Sequence, residues 1–222
     1  MRERGILFSG EMVRAILAGE KTQTRRIVAE AAADPATTSL RWAVDEETVP
    51  RGRYTGWVRQ CGAPFLLPLN CPYGVAGDRL WVREAWRTYA SLDHLRPGAI
   101  RSGAGVQYEC GGSNVPDAST LHGMGRLRPG MFMPRWASRL TLEIIAVRVE
   151  RLQDITEEAA VAEGCAGFKR GPDGLWHGRC QTPRQLFMGL WDSINGQRAG
   201  CAWADNPWVW AVTFRVIAGG DR

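Results

Sequence analysis

The sequence predicts an α+β protein whose core is a small, partly closed β-barrel, with short flanking helices and long loop insertions. Three observations lead there: short runs of period two recur, only three short segments carry a helical period, and glycine-rich stretches without periodicity separate them. The 222 residues suit one elaborate domain or two small ones, and allow a core that buries roughly 70% of the unfolded chain's surface. A single domain over 1–222 is expected, with insertions at about 29–70, 88–130 and 166–181.

Each element has its own reason. Ile6 to Phe8 is apolar and reads as a strand, Ser9 can cap, and Met12, Val13, Ile16 and Leu17 share a helical face that ends at Gly19. Glu20 to Arg26 reads as an exposed polar turn. The 29–70 stretch is rich in Ala, Pro, Thr and Gly, with one hairpin expected around Gly56 to Arg59. After Gly77-Asp78, period two places Leu80, Val82, Glu84 and Trp86 on one face and Trp81 and Arg83 on the other. The longest strand signal sets Leu140, Leu142, Ile144 and Ala146 against Arg139, Thr141 and Glu143. Thr156 to Glu163 reads as a short helix, acidic in its first turn and followed by Gly164. Thr182-Pro183-Arg184-Gln185 spells a capping box with Pro at the first helical position, ahead of the stripe Leu186, Phe187, Leu190, Trp191 and Ile194. Trp208, Trp210, Val212, Phe214 and Val216 alternate in a closing strand expected to be half covered.

Composition narrows the class. With 45% hydrophobic and 23% charged residues, the chain is neither disordered, collagen-like nor a coiled coil. No apolar stretch approaches the roughly 20 residues that cross a bilayer, so a cytoplasmic protein without a membrane partner is expected. The six cysteines form no C-x-x-C pair, which argues against a zinc ribbon and a secreted disulfide framework. His177 and Cys180 have a ligand-like spacing but no second pair beside them, and neither a metal nor an organic cofactor is expected. Of the 28 basic residues only Lys21 and Lys169 are lysines.

The segment Gly19-Glu20-Lys21-Thr22-Gln23-Thr24-Arg25-Arg26 concentrates an amine, two hydroxyls and two guanidinium groups. It suits an anionic ligand, and equally a solvated loop in which Lys21 favours the negative end of the preceding helix. If extended, Thr22, Thr24 and Arg26 project to one side and Lys21, Gln23 and Arg25 to the other, whereas a tight turn would bring Lys21 onto Thr24.

The order of these features resembles the ASCH domain of the PUA-like superfamily, and in particular the larger ASCH proteins of bacteriophages and prophages. The resemblance covers most of the chain outside the three insertions, and its specific part is G-x-K-x-x-T-x-R, matched by Gly19, Lys21, Thr24 and Arg26. It implies a PUA-like fold related to RNA-binding domains. Small bacterial members hydrolyse N4-acetylcytidine, which maps catalytic roles onto Lys21 and Thr24 and, through Ile155-Thr156-Glu157 and the spacing beyond it, onto Glu163.

That chemistry is physically sensible. A threonine hydroxyl attacks an amide only if a base takes its proton. A lysine serves when its amine is neutral, which burial and the nearby Arg25 or Arg26 favour; an arginine cannot serve. The carbonyls at a helix end disfavour charge on Glu163, which suits a proton donor and also describes an ordinary helix-terminal residue. Glu84, in register with Leu80, Val82 and Trp86, is the rival carboxylate unless an arginine pairs it. Trp191, Trp208 and Trp210 read as core residues, while Trp81 with Arg83 and Trp136 with Arg135 interleave aromatic and basic groups as base-stacking surfaces do, or form structural cation–π pairs. The leading expectation is hydrolysis of an N-acyl amide on a modified pyrimidine nucleoside, with substrate contacts from Thr22, Arg25, Arg26, Trp81, Arg83, Glu84, Arg135 and Trp136. The alternatives are a non-catalytic module that binds RNA or single-stranded nucleic acid, and metal-independent RNA cleavage.

Overall fold

The computed structural model describes residues 1–29, 70–114, 123–165 and 182–218 with their side chains, except that of Ala218, and 39–42, 57–60, 66–68, 169–170 and 176–177 as backbone. The strands are β1 (Glu3–Leu7), β2 (Gln23–Ile27), β3 (Ser39–Trp42), β4 (Trp57–Gln60), β5 (Leu66–Pro68), β6 (Arg79–Arg83), β7 (Trp86–Arg87), β8 (Gln107–Tyr108), β9 (Thr141–Arg151), β10 (Lys169–Arg170), β11 (Trp176–His177) and β12 (Trp208–Ala218). The helices are α1 (Gly10–Leu17), α2 (Glu157–Ala162) and α3 (Pro183–Asn195).

This is a mixed α+β fold around a five-stranded sheet of order β1-β6-β9-β12-β2, beside a three-stranded β3-β4-β5 sheet and the pairs β7-β8 and β10-β11. Among the described residues the large sheet has two edges, β1 and β2, and no ladder joins them. A barrel needs that closing ladder, so the expected barrel is an open sheet here.

The chain divides into two compact units, one of Met1–Gly19, Gly77–Glu143 and Arg215–Arg222, the other of Glu20–Ala76 and Ile144–Phe214. In the first, β1 runs parallel to β6 with Gly5 opposite Trp81, and β6 pairs antiparallel with β9 through Trp81 and Thr141. Leu80, Val82, Trp86, Leu140 and Leu142 are buried as their alternation predicts. Trp86, Ile100, Val106, Tyr108, Met133 and Ala137 form an apolar cluster shared by the 88–130 excursion and the residues flanking it. Ser9 caps α1, its Oγ accepting from the Met12 amide at 3.4 Å, and Gly19 leaves the helix at φ 74°.

In the second unit, α2 and α3 pack on Leu152, Ile155 and Val209 through Ala160, Phe187 and Trp191. The capping box at Thr182 is present in full. Three expectations change. Glu20 to Arg26 is no exposed turn: Gln23–Ile27 is strand β2, antiparallel to β12, and Lys21, Thr24 and Arg25 are buried. Trp57–Gln60 is the central strand of β3-β4-β5 rather than a hairpin's tip, and Gly56 lies outside the described residues. On β9 the inward positions pass from Leu142 and Ile144 to Val149 with Ile145 and Ala146 exposed, a change of parity such as one extra residue in a strand produces.

Candidate functional site

The second unit buries a row of alternating charges, and helix ends explain its position. The last carbonyls of an α-helix have no partner within the helix. At the end of α2, Ala162 O accepts the Thr22 amide at 2.8 Å, and Glu163 O accepts the Lys21 Nζ at 2.7 Å. The lysine thus sits where the helix dipole favours a cation. Glu163, the C-cap residue, turns its carboxylate onto the same amine, with Oε2 at 2.6 Å from Nζ.

The other carboxylate oxygen, Oε1, accepts from Arg25 Nη1 at 3.1 Å. Arg25 Nε donates to Glu150 Oε1 at 2.7 Å, and Arg148 Nε donates to Glu150 Oε2 at 2.6 Å. The Arg25 guanidinium also lies 5.8 Å from the Phe187 ring centre. Lys21 and Arg25 reach one carboxylate because they are four residues apart on extended chain and share a side of it. The row therefore runs Lys21, Glu163, Arg25, Glu150, Arg148, and only its last member is substantially exposed, at 43% of its side chain.

Burial holds the Lys21 amine below its ordinary pKa of 10.5; the carboxylate of Glu163 opposes that shift and the charge of Arg26 reinforces it. Arg25 keeps Glu163 partnered when Lys21 gives up its proton. Burial, with the Glu163 carboxylate nearby, pushes the Cys165 thiol up to about 11. Thr24, between Lys21 and Arg25 in sequence, is 0% exposed, and its Oγ1 has no hydrogen-bond partner. On β12 its cross-strand partner is Val212, and the next residue on the same face is Trp210, whose indole N–H is likewise buried without an acceptor.

The remaining candidates fall as follows. Arg26 donates to Arg25 O at 3.1 Å and to the Tyr73 phenol, so it stays beside Lys21. Thr22 serves through its backbone, its carbonyl accepting the Phe214 amide at 2.9 Å. Arg25 holds two carboxylates and is not a free phosphate ligand. Glu84, in the first unit, accepts from Arg139 Nε at 2.9 Å and from the Cys110 thiol at 2.7 Å, the arginine pairing that answers its buried charge. Arg135 pairs with Glu3, Trp136 meets Trp86 edge-on at 6.2 Å, and Arg83 lies 5.4 Å from the Trp81 ring centre. Neither Glu150 nor Tyr73 stands out in the sequence reading above, and Trp210 reads there only as a core residue. For Glu150 a signal existed: a glutamate between arginines 148 and 151 late in a long strand asks for a cation across the sheet. Among the described residues no three His, Cys, Asp or Glu side chains converge as metal ligands, and Cys180 lies outside them. No helix among them is long and apolar enough to cross a membrane.

No protein-family model matches the chain, and no curated protein matches it. Solved structures similar to it include the following two. An Enterococcus faecalis protein of the family model DUF984 aligns over 98% of this chain and 77% of its own, at 10% identity and a TM-score of 0.41. An ASCH domain from Lactobacillus crispatus aligns over 98% of this chain and 80% of its own, at 10% identity and a TM-score of 0.38. An ASCH domain is thus among the structures similar to this chain.

Proposed function

We propose that the protein hydrolyses an N-acyl amide on a modified pyrimidine nucleoside such as N4-acetylcytidine. The observation that carries this reading is the buried Lys21 amine held between the carboxylate and the carbonyl of Glu163, with its proton affinity lowered. Thr24 projects from the side of the extended chain opposite to Lys21 and Arg25, so the opening that admits substrate must also bring Lys21 Nζ and Thr24 Oγ1 together; Lys21 then takes the proton of Thr24, and Thr24 Oγ1 attacks the acyl carbon. Glu163, having received a proton from Lys21, delivers it to the departing N4 amine as the C–N bond breaks. Water then hydrolyses the acyl ester and frees Thr24. Arg26 and the Trp210 indole N–H stand as donors to the developing oxyanion, while Arg25 positions Glu163. Lys21 and Thr24 are 1% and 0% exposed, so their cover must open to admit substrate.

That same burial favours a second reading, in which the cluster braces the fold and the protein binds nucleic acid without chemistry. Release of cytidine from N4-acetylcytidine separates the two. Turnover by the wild type that falls at least a hundredfold in Lys21→Ala and in Thr24→Val, both checked for folding by circular dichroism, supports hydrolysis. No wild-type turnover, or equal turnover in Lys21→Ala, rejects it, and a gel of labelled RNA tests cleavage in the same samples.

A further inference from the structure

A carboxylate of the first unit makes contacts that its pairing with arginine does not account for. Arg139 forks onto Glu84, Nε to Oε1 at 2.9 Å and Nη2 to Oε2 at 3.0 Å, which already answers its charge. The thiol of Cys110 nevertheless donates to the same Oε2 at 2.7 Å, and the same Nη2 donates to Cys110 Sγ at 2.8 Å. Sulfur, carboxylate and guanidinium each touch the other two. Glu84 is 2% exposed and Cys110 half-buried, so the residue that carries the nucleophile is accessible while its base is shielded.

The backbone is shaped to hold this arrangement. Cys110 follows β8 in a turn closed by two bonds, Gly111 N–H donating to Tyr108 O at 3.2 Å and Tyr108 N–H to Gly112 O at 3.1 Å. Gly112 has φ 83°, and a Cβ there would lie 2.5 Å from Arg139 Nη1, so glycine both makes the turn and admits the guanidinium. The guanidinium lies over the Tyr108 ring, 4.1 Å from its centre. On the other side α1 meets the turn with its first residue. A Cβ on Gly10 would lie 3.5 Å from Cys110 Cβ, which sets Cys110 beside the positive end of that helix. A nucleophile, a base within hydrogen-bond reach and a third group that fixes the base are the parts of an activated thiol.

Burial and the Glu84 carboxylate push this thiol up to about 11, so it rests protonated and becomes nucleophilic only as its proton leaves. That suits an electrophile whose leaving group needs the proton back: the oxygen expelled from an O–O bond does, and a departing halide does not. We propose that Cys110 reduces hydroperoxides, with Glu84 relaying the proton and Arg139 fixing both. Sγ attacks the terminal peroxide oxygen as its proton passes to Glu84 Oε2. The S–O bond forms, the O–O bond breaks, and Glu84 protonates the departing alkoxide, or hydroxide where the substrate is hydrogen peroxide. The sulfur is oxidised by two electrons to a sulfenic acid, and the hydroperoxide leaves as an alcohol or water. A thiol such as glutathione condenses with the sulfenic acid, releasing water, and a second one exchanges with the mixed disulfide to restore Cys110. None of these steps uses Lys21 or Thr24.

The full chain, mixed with hydrogen peroxide or with cumene hydroperoxide in the presence of dimedone, tests this when the adduct on Cys110 is followed by mass spectrometry. A positioned proton relay is worth about a hundredfold, so at pH 7 the wild type should react about a hundredfold faster than free glutathione and than Glu84→Gln. The hydroperoxide that reacts faster separates an inorganic from an organic substrate. The pH profile separates a relay from a structural carboxylate. The groups facing the sulfur are Glu84, Arg139, Arg14 of α1 and Tyr108 of β8, whose phenol burial pushes up to about 12. Because the relay consumes the protonated thiol, the wild-type rate should stay level from pH 6 to pH 9. Glu84→Gln, left with the free thiolate, should rise about tenfold per pH unit. A wild-type rate within threefold of that of glutathione, an unchanged rate in Glu84→Gln, or a tenfold rise per pH unit in the wild type overturns the proposal. Should Glu84→Gln fail to fold, the wild-type profile decides.

Discussion

Glu163 holds two buried cations at once, and a neutral isostere would leave each with one partner fewer. Breaking a buried pair costs about 3–5 kcal/mol, because the surviving charge keeps its desolvation penalty. Glu163→Gln should therefore lower stability by that order in urea unfolding. Glu150→Gln should cost clearly less, since one of its partners, Arg148, is 43% exposed and water can replace the lost contact. Equal losses would contradict this ranking. Lys21 adds a pH dependence of definite sign. Its amine binds a proton less tightly in the fold than at its ordinary 10.5, so the unfolded chain carries more protons between those two values. The penalty is complete below the lowered value and is relieved as pH rises toward 10.5. The stability of the wild type measured against Lys21→Met should accordingly increase in urea titrations from pH 8 to pH 10; a decrease would mean that the pair with Glu163 outweighs burial.

At the scale of elements, α2 matters because it presents Glu163. Its six residues are too few to stand alone, so its ends must be held. Thr156 Oγ1 accepts the Ala159 amide at 3.1 Å at one end, and Thr22 and Lys21 donate to the last carbonyls at the other. Thr156→Ala and Thr182→Ala should each cost about 1 kcal/mol, the usual worth of an N-cap. Only Thr156→Ala should also speed hydrogen exchange at Thr22, whose amide bonds to Ala162; unchanged exchange there would uncouple the cap from the site. The cap at Thr182 was legible in the sequence, as were the short helix α2, α1, the alternation of Leu80, Val82 and Trp86, and the pairing of Glu84 with arginine. Strand β2 was not, since four of its five residues are polar or charged and local pattern reads such a run as solvated. What compensates the charge of Arg25 buried on it is a carboxylate 138 residues away along the chain, which no local window contains. The change of face on β9 escaped for a related reason, since one extra residue reverses the parity of every position beyond it.

For the whole molecule, the abundance of arginine is visible in composition, but which arginines are spent on carboxylates depends on the fold. Arg25, Arg135 and Arg139 are spent, whereas Arg83 is not. The same holds for the weakly acidic groups. Burial and nearby carboxylates push the thiols of Cys110 and Cys165 from 9.0 to about 11, and burial takes the Tyr108 phenol from 10.0 to about 12. A group whose pKa is raised on folding holds its proton more tightly in the native state. The resulting stability is present in full below the unfolded pKa and is lost as pH climbs through the folded value. This slope is opposite to that of Lys21, and it continues above 10.5, where the lysine contributes no further change. The melting temperature should therefore fall between pH 9 and pH 11, and the fall should be shallower in a Cys110→Ala, Cys165→Ala double variant. The slope of the fall, rather than the melting temperature at any one pH, is what counts, because removing Cys110 also deletes a hydrogen bond to Glu84. Parallel melting curves for the double variant and the wild type across this range would mean that neither thiol is held protonated by the fold.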